Sequence, residues 1–241
     1  PAQILRWKIM GLRANWGRVN YFALPALFMD TLQQEGLAIV DRLKFIGYDK
    51  VFFDHEPSAD WSLQLYNKET QDKTWKRRGG WEKENVNDTA VIAFQSGPIK
   101  GDMLTCIALL RESQLGELAG ELCRWDVSVL SPTLRQIHYC SVFPRPMDKR
   151  DFCILEHTGI APDGSVILMN YHAGALGLLR NRFSQEVTAD PEQLDNFENS
   201  SYIHGHVHFS VYHLQQLDEE HFCLYRYFCL DMKLSWFFPR I

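Results

Sequence analysis

The sequence has no run approaching the roughly 18 consecutive apolar residues that a conventional membrane-spanning helix needs, so such a span is excluded. Its six cysteines, Cys106, Cys123, Cys140, Cys153, Cys223 and Cys229, form no C-x-x-C pair and no dense cluster. Most sit among apolar neighbours, which leaves buried free thiols in a reducing compartment as their plainest role. G-x-S-x-G, H-E-x-x-H and G-x-x-x-x-G-K-[ST] are all missing, and no nucleophile arrangement emerges. There is no internal repeat and no low-complexity tract. One absence is local: residues 1–29 hold Arg6, Lys8, Arg13 and Arg18 but no carboxylate, the first being Asp30.

What is present is ample apolar material. The chain has 241 residues, 46% hydrophobic and 13% aromatic. That is enough for one large domain that needs no disulfide or metal staple. It also excludes collagen, coiled coil and wholesale disorder. The net charge of −5 argues against a nucleic-acid partner, which would call for a basic face. The charge is uneven, however: the first 29 residues carry +4, leaving −9 for the remainder. With Trp7, Trp16, Tyr21 and Phe22 interleaved, this head resembles a mitochondrial transit segment or a basic stretch lying on an anionic surface. An ordinary N-terminal arm is the plainer alternative. A secretory signal is excluded because Arg6, Lys8 and Arg13 interrupt any apolar core. We divide the chain into a basic aromatic arm, 1–25, and a domain, 26–241. Arg6, Trp7, Lys8, Arg13, Trp16 and Arg18 are the residues expected to meet a membrane or partner.

Leu27, Leu32, Leu37, Val40, Leu43 and Ile46 recur near the helical period, predicting a helix over 26–46 that contains Gly36. Short alternating segments follow at 61–65, 74–76 and 90–94. Segments 91–95 and 103–109 bracket Gly97-Pro98 and Gly101, as in a hairpin. Residues 112–123 read as a second helix through Leu115, Leu118, Ala119 and Leu122. Strands are then expected at 135–143, 150–157, 165–172, 203–213 and 221–230, with a turn at Pro162-Asp163-Gly164. Residues 174–200 read as a polar loop with a short helix. Helices segregated from an antiparallel sheet make this an α+β domain.

The densest candidate chemistry is His204-Gly205-His206-Val207-His208. On a strand these histidines share a face, but i and i+4 lie nearly 14 Å apart, too far for one ion. A metal would need a further ligand from His138, His157 or His172. We expect no metal, no cofactor and no catalytic residue. Lys76-Arg77-Arg78, flanked by Trp75 and Trp81, reads as a solvated turn or a contact to phosphate or lipid headgroups.

One succession of motifs is more specific. Trp125-Asp126 follows the 112–123 segment, a strand then leads to Phe143-Pro144-Arg145-Pro146, and Arg150-Asp151-Phe152 comes next. Tyr202–His206 and Leu230-Asp231-Met232-Lys233 with Pro239 close the series. Together these resemble the START family of steroidogenic acute regulatory protein-related lipid transfer domains, over about residues 26–241. The resemblance implies a helix-grip fold, a curved antiparallel sheet wrapped around helices and enclosing an internal cavity. It also implies a lipid ligand, a sterol or phospholipid, without enzymatic activity. Ile154, Glu156, Met169, Tyr171, His204, His206, Phe209 and Val211 would line the cavity. Trp125, Asp126, Arg150, Asp151 and Phe152 would be framework, with Trp125 anchoring a helix and Arg150 pairing with Asp126 or Asp151.

The sequence departs from the family pattern in three places. Glu156-His157 stands where sterol binders often carry a buried arginine. Ile203-His204 replaces the Val-Arg of the later strand, and no long helix follows Pro239. Two functions are therefore expected. One is a lipid-binding module; the other is a structural accessory subunit of a mitochondrial membrane complex that keeps the fold without lipid transfer. In both, the arm and the cavity mouth would face a membrane or other subunits. The location would be mitochondrial, or else cytoplasmic and peripheral to a membrane. An enzyme resting on the histidine strand is a third, weaker reading.

Overall fold

The computed structural model describes residues 26–45, 48, 61–77, 91–113, 121–131, 133–142, 149–173, 197 and 200–231. Helix α1, Ala26–Phe45, is followed by strands β1 Trp61–Asn67, β2 Asp72–Arg77, β3 Val91–Gln95 and β4 Ile99–Lys100. Helix α2, Met103–Ser113, comes next, then β5 Glu121–Ser131, β6 Leu134–Val142, β7 Arg150–Ile160 and β8 Val166–His172. The series ends with β9 Ile203–His204, β10 His206–Gln216 and β11 His221–Asp231. These strands make one sheet in the order β1-β2-β3-β11-β10-β8-β7-β6-β5, with β4 beside β11 and β9 beside β7. All pairings are antiparallel except β7 with β9. The last strand therefore joins the N-terminal meander to the C-terminal one.

The sheet buries both faces, one under α1 and the other under α2 together with Leu32 of α1. Ile39 and Leu43 of α1 pack with Leu155, Met169, Tyr171, Phe209, Val211, Tyr225 and Tyr227. On the other side Cys106, Ile107 and Leu110 of α2 pack with Leu168, Tyr212, Leu214, Phe222 and Leu224. Each such aliphatic side chain contributes about 1.5–3 kcal/mol. A smaller cluster of Ile137, Phe152, Ile154 and Val207 continues the α2 face. Every residue of β7 is buried as a result.

Two glycines set the seat of α1. A Cβ on Gly36 would lie 1.8 Å from the Ile160 carbonyl oxygen, and one on Gly159 would lie 2.5 Å from the Gly36 nitrogen. Helix and strand therefore meet backbone to backbone, which is why a helix-weakening glycine stands within α1. The Pro162-Asp163-Gly164 turn forms as expected, with Gly164 at φ 81° and the Asp163 carboxylate accepting from the Ser165 amide at 3.0 Å.

Two expected elements are corrected. The segment 103–109 belongs to α2 and not to a hairpin strand. Asp102 caps that helix, its carboxylate accepting from the Thr105 amide at 2.6 Å, and Met103, Cys106, Ile107 and Leu110 recur at helical spacing behind the cap. Of the expected helix over 112–123, residues 114–120 lie outside the described residues, and 121–123 belong instead to strand β5, paired with β6. Trp125 and Asp126 consequently lie within a strand, opposite Tyr139 and His138, and not at a helix end. The 1–25 arm, with Arg6, Trp7, Lys8, Arg13, Trp16 and Arg18, lies outside the described residues, as do most of the 174–200 loop and residues 232–241.

Replacing Gly36 by Ala forces α1 off β7. We expect Gly36→Ala to lower unfolding free energy by about 3 kcal/mol or more, measured by urea denaturation, because neither backbone can yield. Leu37→Ala, at an exposed neighbouring position, is expected to change it little.

Candidate functional site

The eight cavity-lining candidates do not share one surface. Pairing across the sheet fixes the phase of each strand: Leu155 lies opposite Tyr171, His157 opposite Met169, and Met169 opposite Val211. Met169, Tyr171, Phe209 and Val211 therefore face α1, where all four are buried. Ile154 and Glu156 alternate to the α2 face. His204 and His206 lie at one end of the sheet. The His204 ring is 4.3 Å from that of Phe197, and the His206 ring 4.3 Å from that of His172.

The α1 face is apolar and aromatic with a few polar groups set into it. Phe209 stacks on Tyr227 at 4.9 Å, and Tyr48 meets Tyr227 edge-on at 5.5 Å. Burial pushes the Tyr227 hydroxyl up to about 12, opposed by nearby Arg77. Three buried histidines, each on a different strand, supply the polarity. His157 Nε2 donates to Glu35 of α1 at 2.6 Å, and His138 Nε2 to Asp151 at 2.5 Å. The Tyr48 hydroxyl and His213 Nδ1 are 2.7 Å apart. The sequence drew attention to the dense run at 204–208; single histidines interrupting apolar strands were the quieter signal. Among the described residues, no three His, Cys, Asp or Glu side chains gather in a metal-binding arrangement.

Glu156, expected at the polar end of a tunnel, performs a different task. Its side chain is wholly buried on the α2 face, and its Oε1 accepts from Arg111 Nε at 2.8 Å and Arg135 Nη2 at 2.6 Å. Arg111 ends α2 and Arg135 opens β6, so one carboxylate clamps helix to sheet through charge-assisted hydrogen bonds. Within the Arg-Asp-Phe motif, Asp151 takes His138 as partner, and Arg150 Nη1 donates to the Lys149 carbonyl at 3.4 Å. Phe152 stacks on Tyr139 at 5.0 Å and lies against Gly205, where a Cβ would come within 2.3 Å of its ring. Arg150, Asp151 and Phe152 thus brace the junction of β6, β7 and β9.

A separate cleft of about 750 Å³ is lined by Lys100, Gly101, Asp102, Gln216, Asp218, Glu219 and Glu220. Four of its seven lining residues are acidic and it is open to water, unlike a lipid cavity. Among the described residues no helix is long and apolar enough to cross a membrane.

This sheet with its two helices superposes on solved structures of other proteins. Human STARD10 superposes with a TM-score of 0.56 at 13% identity, covering 80% of this chain and 69% of that one. The human StarD13 (DLC2) lipid transfer and protein localization domain gives 0.52 at 13% identity, over 82% of this chain and 84% of that one. The chain has a START-like fold. Human StAR-related lipid transfer protein 5 gives 0.50 at 12% identity, over 85% and 86%. No family model matches the sequence, and no curated protein matches it. The START-like fold is therefore retained at 12–13% identity with these structures.

Two measurements probe these interiors. Glu156→Gln weakens a buried charged clamp while leaving both arginines. We expect it to cost about 3–5 kcal/mol by urea denaturation, and more than replacing Glu156, Arg111 and Arg135 together by Leu. Burial also pushes the Cys106 thiol from its usual 9.0 to about 12. As pH rises from about 9 to 12, the unfolded chain releases the Cys106 and Tyr227 protons while the folded chain keeps them. Stability should then fall with rising pH, by up to about 1.4 kcal/mol per unit for each group. Denaturation midpoints between pH 8 and 11 check this, and Cys106→Ala with Tyr227→Phe should lessen the decline, leaving the part due to Tyr139, whose hydroxyl burial also pushes up.

Proposed function

We propose that this chain is a non-enzymatic lipid-binding module that holds a sterol or phospholipid on the α1 face of its sheet. The observation that carries this reading is the composition of that face within a START-like fold. Met169, Tyr171, Phe209, Val211, Tyr225 and Tyr227 offer an apolar and aromatic surface, and His138 and His213 offer polar groups for orientation. Such a surface desolvates acyl or ring carbons at about 0.8 kcal/mol per CH₂. The backbone contact of Gly36 with Gly159 leaves no room for a ligand over that part of β7. The ligand accordingly lies over β8, β10 and β11.

A second reading rests on the packing of the same face. Leu155, Ile167, Phe209 and Val211 are almost completely buried, as expected of a domain that has kept the fold and filled its interior with side chains. Such a protein would serve as a structural accessory subunit of a larger membrane assembly. The basic, aromatic composition of residues 1–25 favours contact with other subunits or a membrane surface, in mitochondria or at the periphery of another membrane.

Native mass spectrometry of the purified protein, with extraction of bound lipid, separates the two. The lipid-binding reading expects a stoichiometric sterol or phospholipid and transfer of a fluorescent analogue between vesicles. Val211→Trp should lower loading at least about tenfold by occupying ligand space. A protein of bare polypeptide mass that takes up neither lipid class would overturn it and leave the accessory reading.

A further inference from the structure

The β1 edge of the sheet carries an apolar cluster that the interior does not explain. Leu63, Leu65 and Tyr66 are 53, 60 and 47% exposed, and among the described residues β1 is paired only with β2. An irregularity between Leu63 and Leu65 shifts the register. Leu63 and Tyr66, opposite Trp75 and Lys73, therefore fall on the α1 side of the edge, and Leu65, opposite Thr74, on the α2 side. Apolar side chains thus flank the rim on both faces.

Cations stand one strand behind them. Lys73 lies on the α1 side of β2, Lys76 on the α2 side opposite Ser62, and Lys68 in the connecting turn. Residues 61–77 contain four cations and two acids in a chain whose net charge is −5. One of those acids, Asp72, is turned inward, accepting from the Thr70 hydroxyl at 2.6 Å and the Gly97 amide at 2.9 Å. The hairpin therefore presents an excess of positive charge on an otherwise acidic protein.

We propose that this hairpin edge docks on the surface of an anionic lipid bilayer. The depth order fits: apolar groups lead, and lysines follow about 4.8 Å behind, one strand spacing away. Leu63, Leu65 and Tyr66 enter the interfacial zone while Lys68, Lys73 and Lys76 meet the lipid phosphates. The open backbone groups of β1 stay hydrated at headgroup depth, so the edge carries no unmet hydrogen-bonding cost there. A protein strand is a poorer occupant, because the irregularity at Gln64 breaks the even ladder that strand addition requires. A second copy would bring two positive hairpins together. The docking needs no ligand inside the protein, so it stands or falls separately from lipid binding.

Co-sedimentation with vesicles of phosphatidylcholine, and of phosphatidylcholine with about one third phosphatidylglycerol, tests it. Binding is expected to the anionic vesicles only and to weaken with salt. Leu63→Asp with Leu65→Asp should reduce it at least about tenfold, as should Lys68→Gln, Lys73→Gln and Lys76→Gln together. All five side chains lie on the hairpin away from the core clusters, and an unchanged near-ultraviolet circular dichroism spectrum verifies the fold. An environment-sensitive dye on Leu65→Cys should shift to the blue on anionic vesicles, whereas the same dye on Leu217→Cys, beside the acidic cleft, should not. Equal binding by the variants, or a dye at position 65 that remains in water, overturns the proposal. So does a concentration-dependent dimer that the leucine substitutions abolish in the absence of vesicles.

Discussion

The contact between Gly36 and Gly159 is the constraint on which the arrangement of this domain depends. It lets α1 approach β7 to backbone distance, so that Ile39 and Leu43 reach the aromatic layer of β8, β10 and β11. A side chain on either glycine would lift the helix and open water onto Leu155, Met169 and Val211. The contact also bounds any ligand site, since space occupied by helix backbone is closed to a lipid. Glu35, one residue before Gly36, reaches His157 from the same seat, so a polar contact fixes the helix register that the glycines permit.

The opposite face is held by a different kind of interaction. Glu156 is buried between Arg111 and Arg135, and the α2 face depends on this charged clamp as well as on Ile107 and Leu110. Burying the Glu156 carboxylate between two half-buried arginines is costly, and the return is directional: the bonds set where the end of α2 meets β6 and β7. With a helix on each side, β7 becomes a central layer, polar and apolar residues alike withdrawn from water. The two faces are thereby chemically distinct. The α1 face is apolar and aromatic with isolated histidines, whereas the α2 face mixes aliphatic and aromatic side chains with a charged knot.

Much of the strand order was readable because strands leave short-range marks. The strands after residue 134, the Pro162-Asp163-Gly164 turn and α1 stand close to their expected bounds. The resemblance to START domains, carried by the order of motifs more than by any one of them, agrees with the fold. The errors cluster where local signals conflict. The leucines of 112–123 have helical spacing, yet the pairing of β5 with β6 claims residues 121–131, while Asp102 starts a helix nine residues before the expected one.

The sequence by itself determined an α+β chain with enough apolar residues for a large core and an acid-free basic head. Only the tertiary structure decided which residues share a face. Ile154 and Glu156 look equivalent to Met169 and Tyr171 in a linear reading, because β7 is buried on both sides and its alternation between polar and apolar is lost. The phase of one strand against the next comes from hydrogen-bond register, with Leu155 opposite Tyr171, and a shift of one residue exchanges the faces. The same holds for Gly36, a helix-weakening residue in the linear sequence and the point of closest approach in three dimensions. Local propensity depends on neighbours along the chain, whereas face and contact depend on residues brought together from separate elements.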